Sequence, residues 1–167
     1  MTTFAESPAR PTVRFVYSHP AHFVSFGFGV GLIPVAPGTF GTLLAFPLYT
    51  WLVYRLGEPV FALLMLLLFA LGVWACQVTG KALRVHDHSG MVWDETVAFL
   101  IVLFFTPASL VWQAFAFLAF RLFDILKPAP IRYVDRTVRN GLGVMFDDLL
   151  AAFYTLLCLA GCKLLFG

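Results

Sequence analysis

Two long apolar stretches constrain the fold of this chain more than any other feature. Twenty-two residues without a formal charge lie between Glu58 and Lys81, and twenty-five lie between Glu95 and Arg121. A helix that spans the hydrocarbon core of a bilayer needs about twenty such residues. The sequence therefore predicts an all-α integral membrane protein, built as a polytopic helical bundle.

Composition supports a membrane protein and limits its partners. Only 12% of the residues are charged, against roughly a quarter in an average soluble domain. The 167 residues predict a single membrane-embedded domain, 1–167, with a polar lead over residues 1–20. That lead has no apolar core of a secretory signal, so we expect a cytoplasmic N-terminus. A net charge of +2 with dispersed basic residues excludes a nucleic-acid partner, and no obligatory protein partner is indicated.

Five apolar segments are predicted to form the helices. Thr106-Pro107 separates the third from the fourth, so these two are expected to form a hairpin whose shorter member crosses the membrane incompletely. The count is therefore five spans, or four without the short one. The segments are Thr42–Tyr54, Val60–Thr79, Val97–Phe105, Leu110–Phe120 and Leu149–Phe166.

The basic residues predict the orientation of the bundle. With the N-terminus inside, nine basic residues fall on the cytoplasmic side and two, Arg55 and Lys163, on the other, which agrees with the positive-inside rule. Both charged segments of the chain then share the cytoplasmic interface. The nine are Arg10, Arg14, Lys81, Arg84, Arg121, Lys127, Arg132, Arg136 and Arg139.

Glycines and prolines crowd the segment from Gly27 to Gly41. Successive backbone N–H groups in such a loop can bind an anion. Alternatively, the segment is a loop that enters the membrane before a helix capped by Thr39 or Thr42. No GK[ST] sequence follows, so this is not a nucleotide-binding P-loop.

Two adjacent acid pairs precede apolar segments: Asp94-Glu95 and Asp147-Asp148. Acidic residues at a helix N-terminus favour capping and complement the helix dipole. However, neighbouring carboxylates repel each other unless a cation or protons intervene. Together with Asp124, the pairs supply five carboxylates suited to a hard cation such as Mg²⁺. The capping and metal-binding interpretations are both open at this point.

Basic residues and histidines flank the acids. Lys127-Pro128 ends a helix, which leaves Arg121 and Lys127 at the interface, either to contact lipid headgroups or to hold phosphate. His86 and His88 can transfer protons, whereas a zinc site is disfavoured because no cysteine lies nearby and HExxH is absent. The residues with near-helical spacing that predict a solvated, salt-bridged face are Arg132, Asp135, Arg136 and Arg139.

Four segments in order, PVAPGTFGT, VHDHSGMVWDE, FRLFDILKPAPIRYVDR and GLGVMFDD, resemble the signature segments of the bacterial phosphatidylglycerophosphatase A family. The resemblance covers roughly residues 19–152. It implies a Mg²⁺-dependent phosphatase of the bacterial inner membrane that converts phosphatidylglycerophosphate to phosphatidylglycerol. Ala98, Asn140 and Ala152 stand where the family segments carry glycine.

The resemblance also implies the roles of the site residues. Metal ligands are expected at Asp94, Glu95, Asp124, Asp147 and Asp148. Catalytic roles are expected for Asp124, Lys127, Asp147, Asp148, His86 and His88. Contacts to the substrate phosphate are expected from Thr39, Arg121, Lys127 and Arg136, with the site facing the cytoplasm and the lipid tails in or beside the bilayer.

Other membrane functions agree less well with the sequence. A CDP-alcohol phosphatidyltransferase would carry DGxxAR…GxxxDxxxD, and phosphatases with a histidine nucleophile would carry PSGH or SRxxxxxH; all are absent. A transporter or lipid-binding protein would place acids deep within its spans, whereas the predicted spans have them at their ends.

Overall fold

The residues that the structure describes, 11–166 of a computed structural model, form eight α-helices and one short 3-10 helix and contain no strand. The all-α prediction is thereby confirmed. Arg10 and the rest of the first half of the polar lead, residues 1–10, lie outside the described residues. The elements are α1 (Val13–Val16), α2 (Pro20–Ser25), a 3-10 helix (Gly27–Leu32), α3 (Pro37–Arg55), α4 (Glu58–Leu83), α5 (Trp93–Phe105), α6 (Leu110–Leu126), α7 (Ile131–Thr137) and α8 (Gly141–Phe166).

Residues with unusual backbone conformations set several helix ends. Helix α4 ends at Arg84 and α6 ends at Lys127, both in the left-handed conformation. That conformation terminates a helix, and Pro128 then prevents α6 from continuing. The predicted break between α5 and α6 at Thr106-Pro107 is confirmed.

The first long helix begins earlier than predicted. Helix α3 starts at Pro37 rather than Thr42, and its N-cap is Ala36 in the left-handed conformation. Neither Thr39 nor Thr42 is the N-cap, so that prediction is wrong. The Thr42 hydroxyl is inside the helix and donates to the Gly38 carbonyl oxygen. Proline at the first helical position has a suitable φ and no N–H to leave unpaired.

The last helix also begins earlier, at Gly141 rather than Leu149. The Asn140 side-chain oxygen accepts hydrogen bonds from the backbone N–H groups of Leu142 and Gly143, at 3.0 Å each, and so caps α8. Asp147 and Asp148 therefore lie about two turns inside the helix. The capping interpretation of this acid pair is wrong.

Helix α5 is the centre of the bundle. It packs against α3, α4, α6 and α8, and nine of its thirteen side chains are buried. At 1.5 Å per residue it is about 20 Å long, shorter than the roughly 30 Å hydrocarbon core of a bilayer. It is therefore the short member of the predicted hairpin. Its first residues pack against the surrounding helices.

Within residues 11–166, two helices are long and apolar enough to cross a membrane: Pro59–Leu83 in α4 and Gly141–Leu165 in α8. Large apolar side chains on α4 remain exposed, including Leu63, Leu66 and Trp74. Such a surface is expected to face lipid or a partner rather than water. The total of four or five spans stays a prediction.

Candidate active site

The polar centre of the molecule forms where four helices meet. The first turns of α3 and α5 pack against each other, and the end of α6 and the inside of α8 close the other sides. Acidic and basic side chains from α5, α6 and α8 converge there, and α3 contributes the uncharged residues of its first turn. The glycine-rich segment contributes the start of α3, so it is largely helical rather than an extended loop.

Asp94, Glu95 and Asp148 form a compact group that we call the acid trio. Each offers one carboxylate oxygen, and these three atoms all lie within 4.8 Å of one another. Asp94 and Asp148 are buried, and the Glu95 side chain is 13% exposed. Carboxylates this close and this buried cannot all stay charged unless a cation or protons lie between them.

Unsatisfied atoms point to the same conclusion. Among the described residues, Glu95 Oε2, Asp148 Oδ2 and Arg121 Nε are buried without a hydrogen-bond partner. Buried polar atoms in folded proteins are nearly always bonded, and an exception calls for an explanation such as an ion. Carboxylate oxygens are the ligands of hard divalent cations. The acid trio thus fits a metal ion, whose identity the donor set alone does not fix.

The helix geometry divides the Asp147-Asp148 pair. Adjacent residues on an α-helix point about 100° apart, so the two carboxylates face different partners. Asp148 joins the acid trio, whereas Asp147 Oδ2 lies 2.5 Å from Lys127 Nζ. The same ammonium lies 2.7 Å from Asp135 Oδ1 on α7. Asp147, one of the predicted metal ligands, therefore pairs with a lysine and lies outside the trio.

Lys127 connects three segments at the end of α6. Burial alone would lower the pKa of its ammonium, but the charge of Asp147 and the hydrogen bonds to Asp135 and Asp147 raise this pKa above its ordinary value. The group therefore stays positively charged at neutral pH. An ammonium has three N–H donors, and with two used by these acids one remains for a further acceptor.

Arg121 holds the opposite edge of the trio. Its Nη1 lies 2.5 Å from Asp124 Oδ2 and 3.7 Å from Glu95 Oε1. Its side chain is 14% exposed. Arg121 and Lys127 thus face buried carboxylates and do not extend toward lipid headgroups, which contradicts the snorkelling alternative. Asp124 lies within hydrogen-bonding reach of Asp148, beside the trio.

Gly38 explains part of the glycine-rich segment. A Cβ at this position would collide with Oε1 of Glu95 and crowd the Arg121 guanidinium. Only glycine lets the first turn of α3 approach the acid trio this closely. In the sequence, Gly38 is only one of several glycines in this segment, because the residue it contacts, Glu95, lies 57 positions further along the chain.

Four predicted site residues form no hydrogen bond or ion pair with the trio or its two basic partners. Thr39 is half-buried next to Gly38, and Arg136 is exposed on α7. His88 Nδ1 accepts from the Gly90 N–H, and the imidazole lines a cavity of about 310 Å³ beside the loop that precedes α3. His86 lines a different cavity, described below. Asp87, between them, is close enough to Lys127 for their charges to interact.

The predicted face of α7 and the residues after it is solvated, since Arg132, Arg136 and Arg139 are exposed, but the predicted salt bridges on it are wrong. Asp135 pairs with Lys127 instead of an arginine. Arg132 donates to the Leu126 carbonyl oxygen, and Arg139 donates to that of Arg136. The structure favours the lysine because its ammonium is already held nearby by Asp147.

Comparison with known proteins identifies relatives along most of the chain. Residues 23–163 match the family described as Phosphatidylglycerophosphatase A. The protein of that name from Haemophilus influenzae is 46% identical over 149 residues, which are 88% of this chain and 91% of the relative. The Escherichia coli protein of that name is 41% identical over 139 residues, 83% of this chain and 80% of the relative.

A further relative carries a different name. A Bacteroides thetaiotaomicron protein, 36% identical over 86% of this chain and 94% of its own length, is provisionally named a phosphatidylinositol-3-phosphatase. No solved structure matches the chain. All three names describe removal of a phosphate from a phospholipid headgroup.

Proposed function

The chain belongs to the phosphatidylglycerophosphatase A family of phosphatases, and on that premise we propose that it hydrolyses the terminal phosphate of phosphatidylglycerophosphate to give phosphatidylglycerol and inorganic phosphate. We place this reaction in phospholipid synthesis, at the cytoplasmic face of a bacterial inner membrane. The observation that carries the proposal is the acid trio with its unpaired oxygens beside two cationic side chains.

The proposed cofactor is Mg²⁺, held by Asp94, Glu95 and Asp148. Mg²⁺ prefers carboxylate oxygens and is commonly bound by them together with substrate phosphates. When bound, it would supply positive charge to neutralise the phosphate and help activate water.

Lys127 and Arg121 are proposed to orient the phosphate. Lys127 remains protonated and has one N–H donor left after its bonds to Asp135 and Asp147. The unpaired Nε of Arg121 is a second donor. Charged donors already held in place by carboxylates need little reorganisation as charge develops on the phosphoryl oxygens. Thr39, in the first turn of α3, and Arg136, in the last turn of α7, are also proposed to contact the substrate phosphate.

Proton transfer from the attacking water requires a base outside the trio. Asp124 and Asp147 are the two carboxylates placed beside it, each also bound to a cation. We propose that one of them accepts the proton. His86 and His88 are also proposed to transfer protons. Both lie on the loop between α4 and α5, which would have to approach the site when substrate binds.

The alternative functions have less support. Asp147 and Asp148 lie inside α8, near its first two turns, so the position of the acids along the helices does not by itself separate a transporter from a phosphatase. Membership of a phosphatase family now carries the case against both the transporter and the phosphatidyltransferase.

Phosphate release by the purified chain tests the proposal. We expect hydrolysis of phosphatidylglycerophosphate in the presence of Mg²⁺ and none without it. Phosphatidylinositol 3-phosphate and phosphatidic acid are the comparison substrates, the first because of the Bacteroides relative's name. No release from phosphatidylglycerophosphate, or faster release from the inositol lipid, would overturn the proposed substrate.

A further inference from the structure

A basic cavity of about 230 Å³ lies between the end of α4 and the start of α8. Its lining includes four basic side chains from three segments and, among the described residues, no acidic one. This basic pocket is lined by Lys81, Arg84, His86 and Arg139, together with Cys76 and Gly141.

Among the described residues, no ion pair neutralises the cations of the basic pocket, and the nearest acid is Asp87, whose charge acts on His86. Neither Lys81 nor Arg84 forms an ion pair with any described residue, and Arg139 donates only to a backbone carbonyl oxygen. A single cation in the last turn of α4 would satisfy the helix dipole. Arg139 comes from a different element, so the dipole does not explain why three cations converge.

The backbone of Arg84 has a conformation that is unfavourable for an arginine. It ends α4 with φ at +57°, a conformation that glycine or asparagine adopts more readily. The backbone N–H groups at the start of α8 are already occupied, since Gly141 donates to Gln77 Oε1 and the next two donate to Asn140. An anion here would therefore be bound by the basic side chains rather than by the helix N-terminus.

The basic pocket and the acid trio share helix α8, which contributes Gly141 to the first and Asp148 to the second. Asp148 follows Gly141 by seven residues, so both lie on one face of α8 about 10 Å apart. Cys76 lines the basic pocket, and its thiol is near enough to Asp87, Glu95 and Asp148 for their charges to act on it. A headgroup with two anionic groups separated by a few bonds can therefore reach both sites.

We propose that the basic pocket binds the phosphodiester of a phospholipid headgroup. The pocket lies between α4 and α8, the two helices long enough to cross a membrane, and basic pockets between such helices bind anionic headgroups. The diester belongs either to the substrate itself, which rests on the proposed function, or to a neighbouring anionic phospholipid. In the first case the enzyme selects its substrate by two phosphates, the monoester at the acid trio and the diester here.

Binding without turnover is the first test. Short-chain phosphatidylglycerol is added to the detergent-purified full chain in EDTA, and the unfolding temperature is measured. We expect a rise in Tm for the parent and for the charge-preserving Lys81→Arg/Arg84→Lys variant, and none for Lys81→Gln/Arg84→Gln. Arg14→Gln, which removes an exposed charge outside the pocket, should respond like the parent. An equal rise in the glutamine variant, or no rise in the parent, overturns the proposal.

Kinetics then identify the source of the diester. If it is the substrate's own, Lys81→Gln/Arg84→Gln raises KM for phosphatidylglycerophosphate by about tenfold, which corresponds to the loss of about 1.4 kcal/mol of binding, and leaves KM for phosphatidic acid unchanged. If the diester belongs to a neighbouring lipid, the glutamine variant raises KM equally for both substrates, and only in vesicles that contain phosphatidylglycerol. Unchanged KM values in every arm contradict the pocket. A parent that fails to hydrolyse phosphatidylglycerophosphate refutes the proposed function but leaves the Tm test intact.

Discussion

Lys127 and Asp147 face each other between α6 and α8, with Nζ 2.5 Å from Oδ2. The pair joins the end of α6, just before the turn at Pro128, to the interior of α8, and Asp135 of α7 binds the same ammonium. The Lys127 ammonium therefore stabilises the packing of α6, α7 and α8, in addition to its proposed contact with phosphate.

Replacing Lys127 with glutamine should destabilise the protein. Asp147, whose side chain is 5% exposed, would be left without its cation, and breaking a buried pair from one side costs about 3 kcal/mol or more. Thermal unfolding of Lys127→Gln measures the loss. Adding Asp147→Asn should restore much of the stability but not phosphate release. Equal stability of Lys127→Gln and the parent would show that the pair is unimportant for folding.

Gly38→Ala should impair the site specifically. The added Cβ collides with the Glu95 carboxylate, so we expect weaker metal binding and slower turnover. Gly161→Ala is the matched control, because nothing lies within 4 Å of a Cβ there; it should leave turnover unchanged and stabilise α8 by up to about 1 kcal/mol. If both variants turn over substrate like the parent, α3 does not support the acid trio.

Metal removal should abolish activity. The trio consists only of carboxylates, which favour Mg²⁺ and Mn²⁺ over softer metals. Phosphate release should stop in EDTA and return with Mg²⁺, and Mn²⁺ should substitute. Activity that returns only with Zn²⁺ would contradict the assignment of the ligands.

The two charged segments should share one side of the membrane. Single cysteines at Ser89 and Tyr133, introduced after the native Cys76, Cys158 and Cys162 are replaced, should react with an impermeant reagent from the cytoplasmic side. A cysteine at Gly57 should react from the other side. The structure brings the loop that precedes α5 and the segment after α6 to one site, so labelling Ser89 and Tyr133 from opposite sides would refute it. A cysteine near Ala9, a position outside the described residues, is also expected to react from the cytoplasmic side.

Much of the architecture could be predicted because apolar length and proline placement are local signals. The break at Thr106-Pro107 and the end of α6 before Pro128 both follow from the missing N–H and fixed φ of proline. The start of α8 was missed because two glycines argue against a helix there, whereas the Asn140 cap and the packing of Met145 in the core stabilise one.

The arrangement of the site was only partly predictable, since its contacts are distant in sequence. The acid pairs were recognised, but which carboxylate of each pair faces which partner depends on helix rotation. Gly38 meets Glu95, and Lys127 meets Asp147, only after α3, α5, α6 and α8 have packed. The sequence pattern has no signal for these tertiary contacts.

The central claim is that the acid trio binds the metal that supports phosphate release. It is tested most directly by measuring Mg²⁺-dependent phosphate release from phosphatidylglycerophosphate by Asp148→Asn, with Arg14→Gln as the control and normal expression of both established first. Asparagine keeps the shape of aspartate and loses its charge, so turnover should fall by on the order of a hundredfold or more, and the Mg²⁺ concentration for half-maximal rate should rise. Turnover and Mg²⁺ response equal to those of Arg14→Gln would contradict the acid trio as the site of catalysis.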